Sequence, residues 1–323
     1  MTTNKKKVLI LGPMHADGMA LFDGRDDVEA EVLHDISPEN IIRHIPGVHG
    51  VGVRVAKIDK AVIDAADSLQ IVSRHGVGYD SVDVAALNAR NIPLAIAPRA
   101  NAPSVAEQAM MYLLTLAKQL PAYDKLVRSG DWEQRSKVQA VDLDGRTLLV
   151  IGLGRIGSRV VKRAKAFDMR VLGHDPYLEP SAIEAMGAEP VADFRAVLGK
   201  VDAVTMHCPR NEETIGLFGA AELAALRPGA LVVNCARGGL IDEAALLDAV
   251  RSGQVSGAGM DVFNEEPALD HPFFAEPRIL MTPHSAGISL EAAKRSAYQT
   301  IENILAALDG TLDPNVVVNK EVL

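Results

Sequence analysis

Hydrophobic and polar positions fall into two long series of short apolar runs separated by helical patterns. In the first series Lys7–Leu11, Ala30–Leu33, Gly50–Val55, Leu69–Ser73 and Pro93–Ala97 read as strands. The stretches Ala16–Phe22, Pro38–His44, Lys60–Ala66 and Val82–Ala89 carry apolar residues at helical spacing. Strand–helix alternation of this kind builds a parallel sheet, here ending near Pro98. Asn101-Ala102-Pro103-Ser104 then opens a long amphipathic helix predicted to reach Ser129, with Asn101 or Ser104 as its cap and Gly130 as its stop. Its apolar face, Met110, Leu113, Leu114, Leu116 and Ala117, suits a helix joining two domains, and such a helix can also carry a dimer contact. From Arg146 to about Ala286 the alternation resumes. Strands are predicted at Thr147–Ile151, Met169–Leu172, Ala203–Met206, Ala230–Asn234, Ala258–Val262 and Ile279–Met281, and helices at Ser158–Phe167, Ala220–Ala225 and Glu243–Arg251. A last helix, Leu290–Leu308, stops at Gly310, and Asn315–Asn319 reads as a final strand returning to the first sheet. The expectation is a discontinuous domain made of both chain ends, with a second domain inserted between.

The second series opens on a stretch with chemistry in it. The buried-strand pattern Thr147–Ile151 runs straight into Gly152-Leu153-Gly154-Arg155-Ile156-Gly157 and then a helical run. In a strand–turn–helix unit Gly152 makes the tight turn, Gly154 lets a pyrophosphate approach the backbone, and Gly157 lets helix and strand pack closely. The free N–H groups of the helix start, and its dipole, favour a phosphate there. The following strand leads to Asp175, placed to hold adenosine ribose hydroxyls. The first domain's turn, Gly12-Pro13, lacks the three-glycine pattern, so the dinucleotide belongs to the second domain.

Composition narrows the class. The 323 residues allow two domains, and a chain 48% hydrophobic but only 4% aromatic must build its core from Ala, Val, Leu and Ile, the material of helix-covered parallel sheets. A net charge of −9 argues against nucleic acid as a partner. The apolar run behind Lys5-Lys6-Lys7 is too short for a signal peptide or membrane span, so no membrane partner and a cytoplasmic location are expected. Cys208 and Cys235 sit in no Cys-x-x-Cys spacing and read as reduced, non-ligand thiols; no metal is expected.

Three stretches place polar residues just after buried strands: Asn234-Cys235-Ala236-Arg237-Gly238, Asp261-Val262-Phe263-Asn264-Glu265-Glu266-Pro267 and Thr282-Pro283-His284-Ser285-Ala286-Gly287. In open α/β sheets ligands bind beyond the carboxyl ends of the strands, so these residues converge on one crevice. A guanidinium holds a carboxylate bidentately and polarises a neighbouring carbonyl. A histidine trades a proton near neutral pH, and a carboxylate beside it fixes its tautomer. With a dinucleotide, these are the parts for hydride transfer between nicotinamide and a 2-hydroxy/2-oxo acid.

On these motifs, together with Arg74-His75-Gly76-Val77-Gly78-Tyr79-Asp80, Ser104-Val105-Ala106-Glu107 and His207-Cys208-Pro209, nearly the whole chain resembles the D-isomer-specific 2-hydroxyacid dehydrogenase family, most closely its phosphoglycerate dehydrogenase-like and hydroxypyruvate reductase-like branch. The resemblance implies an α/β fold of two Rossmann-like or flavodoxin-like parallel-sheet domains. Residues 1–99 and 287–323 would form the substrate-binding domain and 100–286 the NAD-binding domain inserted into it. It makes Arg237 the carboxylate and carbonyl binder, His284 the acid/base, and Glu266, which directly precedes the proline, its carboxylate partner in place of Glu265. On the cofactor it implies Gly152, Gly154, Arg155, Ile156 and Gly157 at the pyrophosphate and Asp175 at the ribose. His207 and Pro209 would lie on the adenosine side, with Cys235, Ala236 and Asp261 on the nicotinamide side, and Ala286 would be a further cofactor-binding residue. Arg54 and the backbone of Val77 and Gly78, beside Arg237 and His284, would bind the substrate.

The sequence departs from the pattern at Val55-Ala56, where relatives often carry Ser or Thr after the arginine matching Arg54, and His75 has no assigned role. Phosphoglycerate dehydrogenases often add C-terminal regulatory domains, and with the sequence running to Leu323 none is expected here. The expected activity is NAD-dependent oxidation or reduction of a small 2-hydroxy/2-oxo acid, by a two-domain enzyme closing over its substrate and forming a homodimer or higher homo-oligomer. Hydroxypyruvate, glyoxylate and the phosphoglycerate/phosphohydroxypyruvate pair are the candidate substrates. The alternative is an NAD(H)-sensing binding protein or corepressor on the same fold.

Overall fold

The structure is a computed structural model that describes residues 5–323. These divide into two compact units, 5–101 with 288–323 and 102–287. The crossings between units therefore fall at 101/102 and 287/288, one or two residues beyond the boundaries expected from sequence.

In the first unit five parallel strands, β1 (Lys6–Leu11), β2 (Val28–Leu33), β3 (Gly50–Val53), β4 (Ile71–Arg74) and β5 (Leu94–Ile96), lie in the order β2-β1-β3-β4-β5. Alternate residues of β1 feed opposite faces, as the pleat demands. Leu9 and Leu11 join one cluster with Ile41, Val62 and Leu87, while Val8 and Ile10 join another with Ile301 and Ile304. Ile301 and Ile304 come from the helix Leu290–Leu308, whose start is capped by Ser289 accepting from Ala292 N–H at 3.0 Å. Burying each isoleucine is worth about 1.5–3 kcal/mol, which fastens the returning chain end to the sheet. The final strand expected at Asn315–Asn319 does not form. Pro314–Val316 is a 3-10 turn, and a single antiparallel bridge, Ala95 to Val317, stands in place of a ladder. Proline fixes φ and removes a donor at the point where a ladder would begin.

The second unit holds seven parallel strands: β6 (Thr147–Ile151), β7 (Arg170–His174), β8 (Glu189–Pro190), β9 (Ala203–Met206), β10 (Ala230–Asn234), β11 (Val255–Met260) and β12 (Ile279–Met281). Their order is β12-β11-β10-β9-β6-β7-β8, so the winding direction reverses between β6 and β9, where doubly wound sheets bind dinucleotides. Leu149 and Ile151 pack with Phe194, Phe218 and Leu246 on one face, and Leu148 and Val150 with Leu113, Val160 and Val161 on the other. The long helix expected to run to Ser129 is broken into Ala102–Ala117 and Leu120–Ser129. Pro121 has no N–H to return to Ala117, whose carbonyl takes Val141 N–H at 2.8 Å instead, and Gln119 turns left-handed at φ 52°. The expected cap at Asn101 is not made, since its Oδ1 is buried without a hydrogen-bond partner, and Ser104 lies inside the helix. Gly130 does end the second piece, at φ 80°.

Candidate active site

The glycine turn sits at the carboxyl end of β6. Gly152 has φ +85°, and a Cβ there would lie 2.7 Å from the Cys208 nitrogen on the neighbouring strand's exit. A Cβ on Gly157 would lie 1.9 Å from the Gly152 carbonyl oxygen, so only glycine lets the helix Gly157–Ala166 start so close to the strand. Around Gly154 a Cβ would meet nothing within 4 Å, and among the described residues the N–H groups of Arg155 and Ile156 find no protein acceptor. Open space beside unpaired N–H groups at a helix start fits a pyrophosphate.

Asp175 follows β7 and does two jobs locally. Its Oδ2 accepts from Leu153 N–H at 2.9 Å, tying it to the glycine turn, and its Oδ1 accepts from Tyr177 N–H at 3.1 Å. A carboxylate has about four acceptor sites, which leaves about two for ribose hydroxyls. His207 follows β9. Its Nε2 meets Thr205 Oγ1 at 3.0 Å, while its Nδ1 is shut from solvent with no partner. Burial pushes this imidazole down to about 3, so it is neutral and offers a hydrogen-bonding nitrogen, not a charge. Pro209 is exposed and its carbonyl accepts from Thr214 Oγ1 at 2.7 Å.

The other three strand exits, after β10, β11 and β12, meet in a dense network. Asn234, buried at the end of β10, accepts from Ala236 N–H and donates to the Arg237 carbonyl, each at 2.9 Å, so the turn bearing Cys235, Ala236 and Arg237 is fixed. Arg237 Nη1 donates to the Ala236 carbonyl at 2.7 Å. Cys235 is buried beside Asp261, and burial pushes its thiol well above the ordinary range, so it is no nucleophile at neutral pH.

Asp261, just after β11, is buried, and burial raises its carboxyl against the opposing pull of its donors. It accepts from Thr282 Oγ1, from Ser285 N–H at 2.8 Å and from Ala286 N–H at 2.9 Å. Its carbonyl takes His284 N–H at 2.7 Å. Thr282 is held in turn by Tyr112 Oη at 2.6 Å and Gln108 Nε2 at 3.1 Å. This cage keeps His284 at φ 51°, a conformation that costs a non-glycine residue about 1–3 kcal/mol. His284 Nδ1 lies 2.7 Å from Glu266 Oε2, and Glu266 Oε1 accepts from Phe263 N–H at 3.0 Å. Both side chains are partly exposed, and Glu265 takes no part. Asp261 therefore spends three acceptor positions on the histidine loop, a role its place in the sequence did not disclose. Asn234, Thr282, Tyr112 and Gln108 were likewise assigned no role from sequence; the last three find their partners 170 and 174 residues away, so no short spacing reveals them.

The first unit carries its own cluster. Arg54 stands exposed directly after β3, next to the point where strand order reverses between β1 and β3. His75 N–H donates to the Val53 carbonyl at 2.7 Å, which ties the segment after β4 to Arg54. Burial, and then the charges of Arg54 and Arg74, push the His75 imidazole down to about 4. Among the described residues the N–H groups of Val77 and Gly78 donate to no protein acceptor.

Comparison with known proteins gives one consistent result. The profile of the D-isomer specific 2-hydroxyacid dehydrogenase NAD binding domain matches residues 110–286. D-3-phosphoglycerate dehydrogenase of Methanocaldococcus jannaschii is 38% identical over 96% of the chain, which spans only 59% of that protein. Glyoxylate reductase of Thermococcus litoralis is 35% identical over 99% of this chain and 98% of its own. The crystal structure of an NADPH-dependent glyoxylate/hydroxypyruvate reductase from Sinorhizobium meliloti, with NADP and malonate, superposes with a TM-score of 0.84 at 28% identity, covering 98% of each chain. NAD is the cofactor of the domain matched here. Among the described residues no helix is long and apolar enough to cross a membrane, and no His/Cys/Asp/Glu group is arranged to hold a metal ion.

Proposed function

The chain belongs to the D-isomer specific 2-hydroxyacid dehydrogenase family, and within it we propose an NAD-dependent enzyme that interconverts a small 2-oxo acid and its 2-hydroxy acid. The observation that carries the reading is the bond between His284 Nδ1 and Glu266 Oε2 at 2.7 Å, made on a partly exposed ring whose Nε2 is left for substrate. Bound NADH supplies the hydride that C2 accepts. Arg237 binds the substrate carboxylate and draws electron density from the C2 carbonyl. His284, protonated on both nitrogens, gives the Nε2 proton to the C2 oxygen, and in oxidation the neutral ring takes it back. Glu266 holds Nδ1–H and favours the ring's charged form. The unpaired N–H groups of Val77 and Gly78 are further carboxylate donors, and Arg54 is a site for an anionic substrate tail.

Arg155 and Ile156 N–H would hold the pyrophosphate across Gly152, Gly154 and Gly157, and Asp175 the ribose. His207 and Pro209 would line the adenosine side and Cys235, Ala236 and Asp261 the nicotinamide side, with Ala286 a further cofactor contact. In this scheme residues 102–287 bind NAD and the unit built from both chain ends binds substrate. Hydroxypyruvate and glyoxylate, or phosphohydroxypyruvate, are the proposed oxo acids, since the relatives above are named for those reactions. A homodimer is proposed because the helix Leu120–Ser129 buries none of its own residues and leaves Leu120, Val127 and the nearby Trp132 exposed. A reducing, cytoplasmic setting is proposed from two unpaired cysteines. NADH absorbance followed with glyoxylate, hydroxypyruvate, pyruvate and phosphohydroxypyruvate tests the reading. Turnover of one or more supports it; tight NADH binding without turnover of any supports the rival, a dinucleotide-sensing binding protein.

A further inference from the structure

The Phe263–Asn264 peptide is gripped by a second carboxylate–imidazole pair, distinct from the first. Glu243, the first residue of the helix Glu243–Ser252, accepts Asn264 N–H on Oε1 at 2.8 Å. Its Oε2 lies 3.2 Å from His271 Nε2. His271 Nδ1 accepts from Phe273 N–H at 3.3 Å, so the ring's proton is on Nε2 and is donated to Glu243. The ring also stands edge-on to Phe263 and Phe273, with centroids 5.5 and 4.5 Å apart. The pair is much less exposed than the catalytic one, 14% for Glu243 and 16% for His271 against 34% for Glu266 and 47% for His284.

What this pair holds matters. Phe263 N–H, on the same short segment, is the donor that fixes Glu266 Oε1. The turn bearing Arg237 rests there too: a Cβ on Gly238 would lie 1.8 Å from the Phe263 oxygen and 2.8 Å from the Asn264 nitrogen. We infer that Glu243 and His271 are positioning residues, which orient the Phe263–Asn264 peptide and thereby set Glu266 against His284 and seat the Arg237 turn. This inference rests on the proposed roles of Glu266 and His284. If Asn264 N–H loses its acceptor, the segment swings, Phe263 N–H leaves Oε1, and the carboxylate turns away from His284 Nδ1. Packing alone does not require this chemistry, because an apolar side chain would fill the space beside Phe263 and Phe273 equally well. The pair borders a cavity of about 390 Å³, so substitutions there need not disrupt the core.

The test uses amide isosteres of the imidazole. The amide nitrogen of His271→Gln falls where Nε2 was and keeps the donor to Glu243; that of His271→Asn falls where Nδ1 was and loses it. We expect His271→Gln to hold kcat near wild type, and His271→Asn and Glu243→Ala to lose about ten- to a hundred-fold, the scale of a small misplacement of reacting groups. NADH dissociation constants should not move. In a Glu266→Gln background, already slow, Glu243→Ala should add little, since both act on one carboxylate. Equal kcat for His271→Gln and His271→Asn, or losses that add in full, overturns the positioning role. Full activity in Glu266→Gln alone overturns the reading beneath it, and with it this one.

Discussion

Replacing Asp175 by alanine should change which dinucleotide this protein prefers, and by a calculable amount. In the native turn the Asp175 carboxylate spends two acceptor positions on Leu153 and Tyr177 N–H groups, leaving about two for the 2′ and 3′ hydroxyls of NAD. A 2′-phosphate in that place would bring a second negative charge to about 4 Å, where an effective dielectric near 20 makes the repulsion about 4 kcal/mol. That is about a thousand-fold against NADPH. The residues that follow, Pro176 to Glu179, include no cation to offset it. Asp175→Ala removes the repulsion and two charge-assisted hydrogen bonds together, so kcat/KM for NADH should fall about a hundred-fold while that for NADPH holds or rises. The substitution also strips Leu153 N–H, on a residue only 1% exposed, of its acceptor, which costs about 1–3 kcal/mol of stability. This damage is common to both cofactors and cancels in their ratio. The assay is kcat/KM for NADH and NADPH with one 2-oxo acid in wild type and variant. Native enzyme using both equally, or a ratio unmoved by the substitution, refutes the argument.

Arg54→Ala should weaken phosphohydroxypyruvate far more than pyruvate, read as the ratio of their kcat/KM values; equal losses, or none, remove Arg54 from tail binding. Acid should destabilise the protein through His207, whose ring is held down at about 3 when folded. In the unfolded chain it takes a proton near 6.5, so the unfolded state binds more protons over that window and stability falls as pH falls through it. The loss reaches about 2 kcal/mol by about pH 5. His75, held at about 4, adds a loss of the same sign. Urea titrations at about pH 8 and about pH 5 check this, with His207→Gln expected to reduce the difference and an unchanged difference counting against it.

Periodicity was a good guide to the central strands of the second sheet. Thr147–Ile151, Ala203–Met206 and Ala230–Asn234, buried throughout, carry the bounds their apolar runs predict, because continuous hydrophobic sequence has only one place to go in a helix-covered sheet. The errors lie where backbone chemistry overrides pattern. Pro121 broke a helix whose apolar face alone would have carried on, Pro314 turned an apolar end into a 3-10 turn with a single bridge, and β8, only Glu189–Pro190, is too short to show any alternation. In the candidate site, the placement of residues at strand exits was legible, because the strands that carry them are. Their supports were not. Tyr112 reaches Thr282, Asp261 reaches Ser285 and Ala286, and Glu243 reaches Asn264 and His271 only after the helices have packed. Nothing in the local sequence around Tyr112 or Glu243 distinguishes either from an ordinary helix residue.

In the proposed mechanism His284 moves a proton at C2 and is not a structural residue of the loop. Single-turnover reduction of the best 2-oxo substrate by NADH, in wild type and His284→Ala, with NADH affinity measured separately by fluorescence, tests it most directly. A general acid is worth about 10²–10⁴-fold, so the hydride-transfer rate should fall by that factor while NADH affinity stays within about two-fold. A variant that reduces the substrate at close to the native rate, or one that loses activity only as far as it loses NADH, would contradict the account.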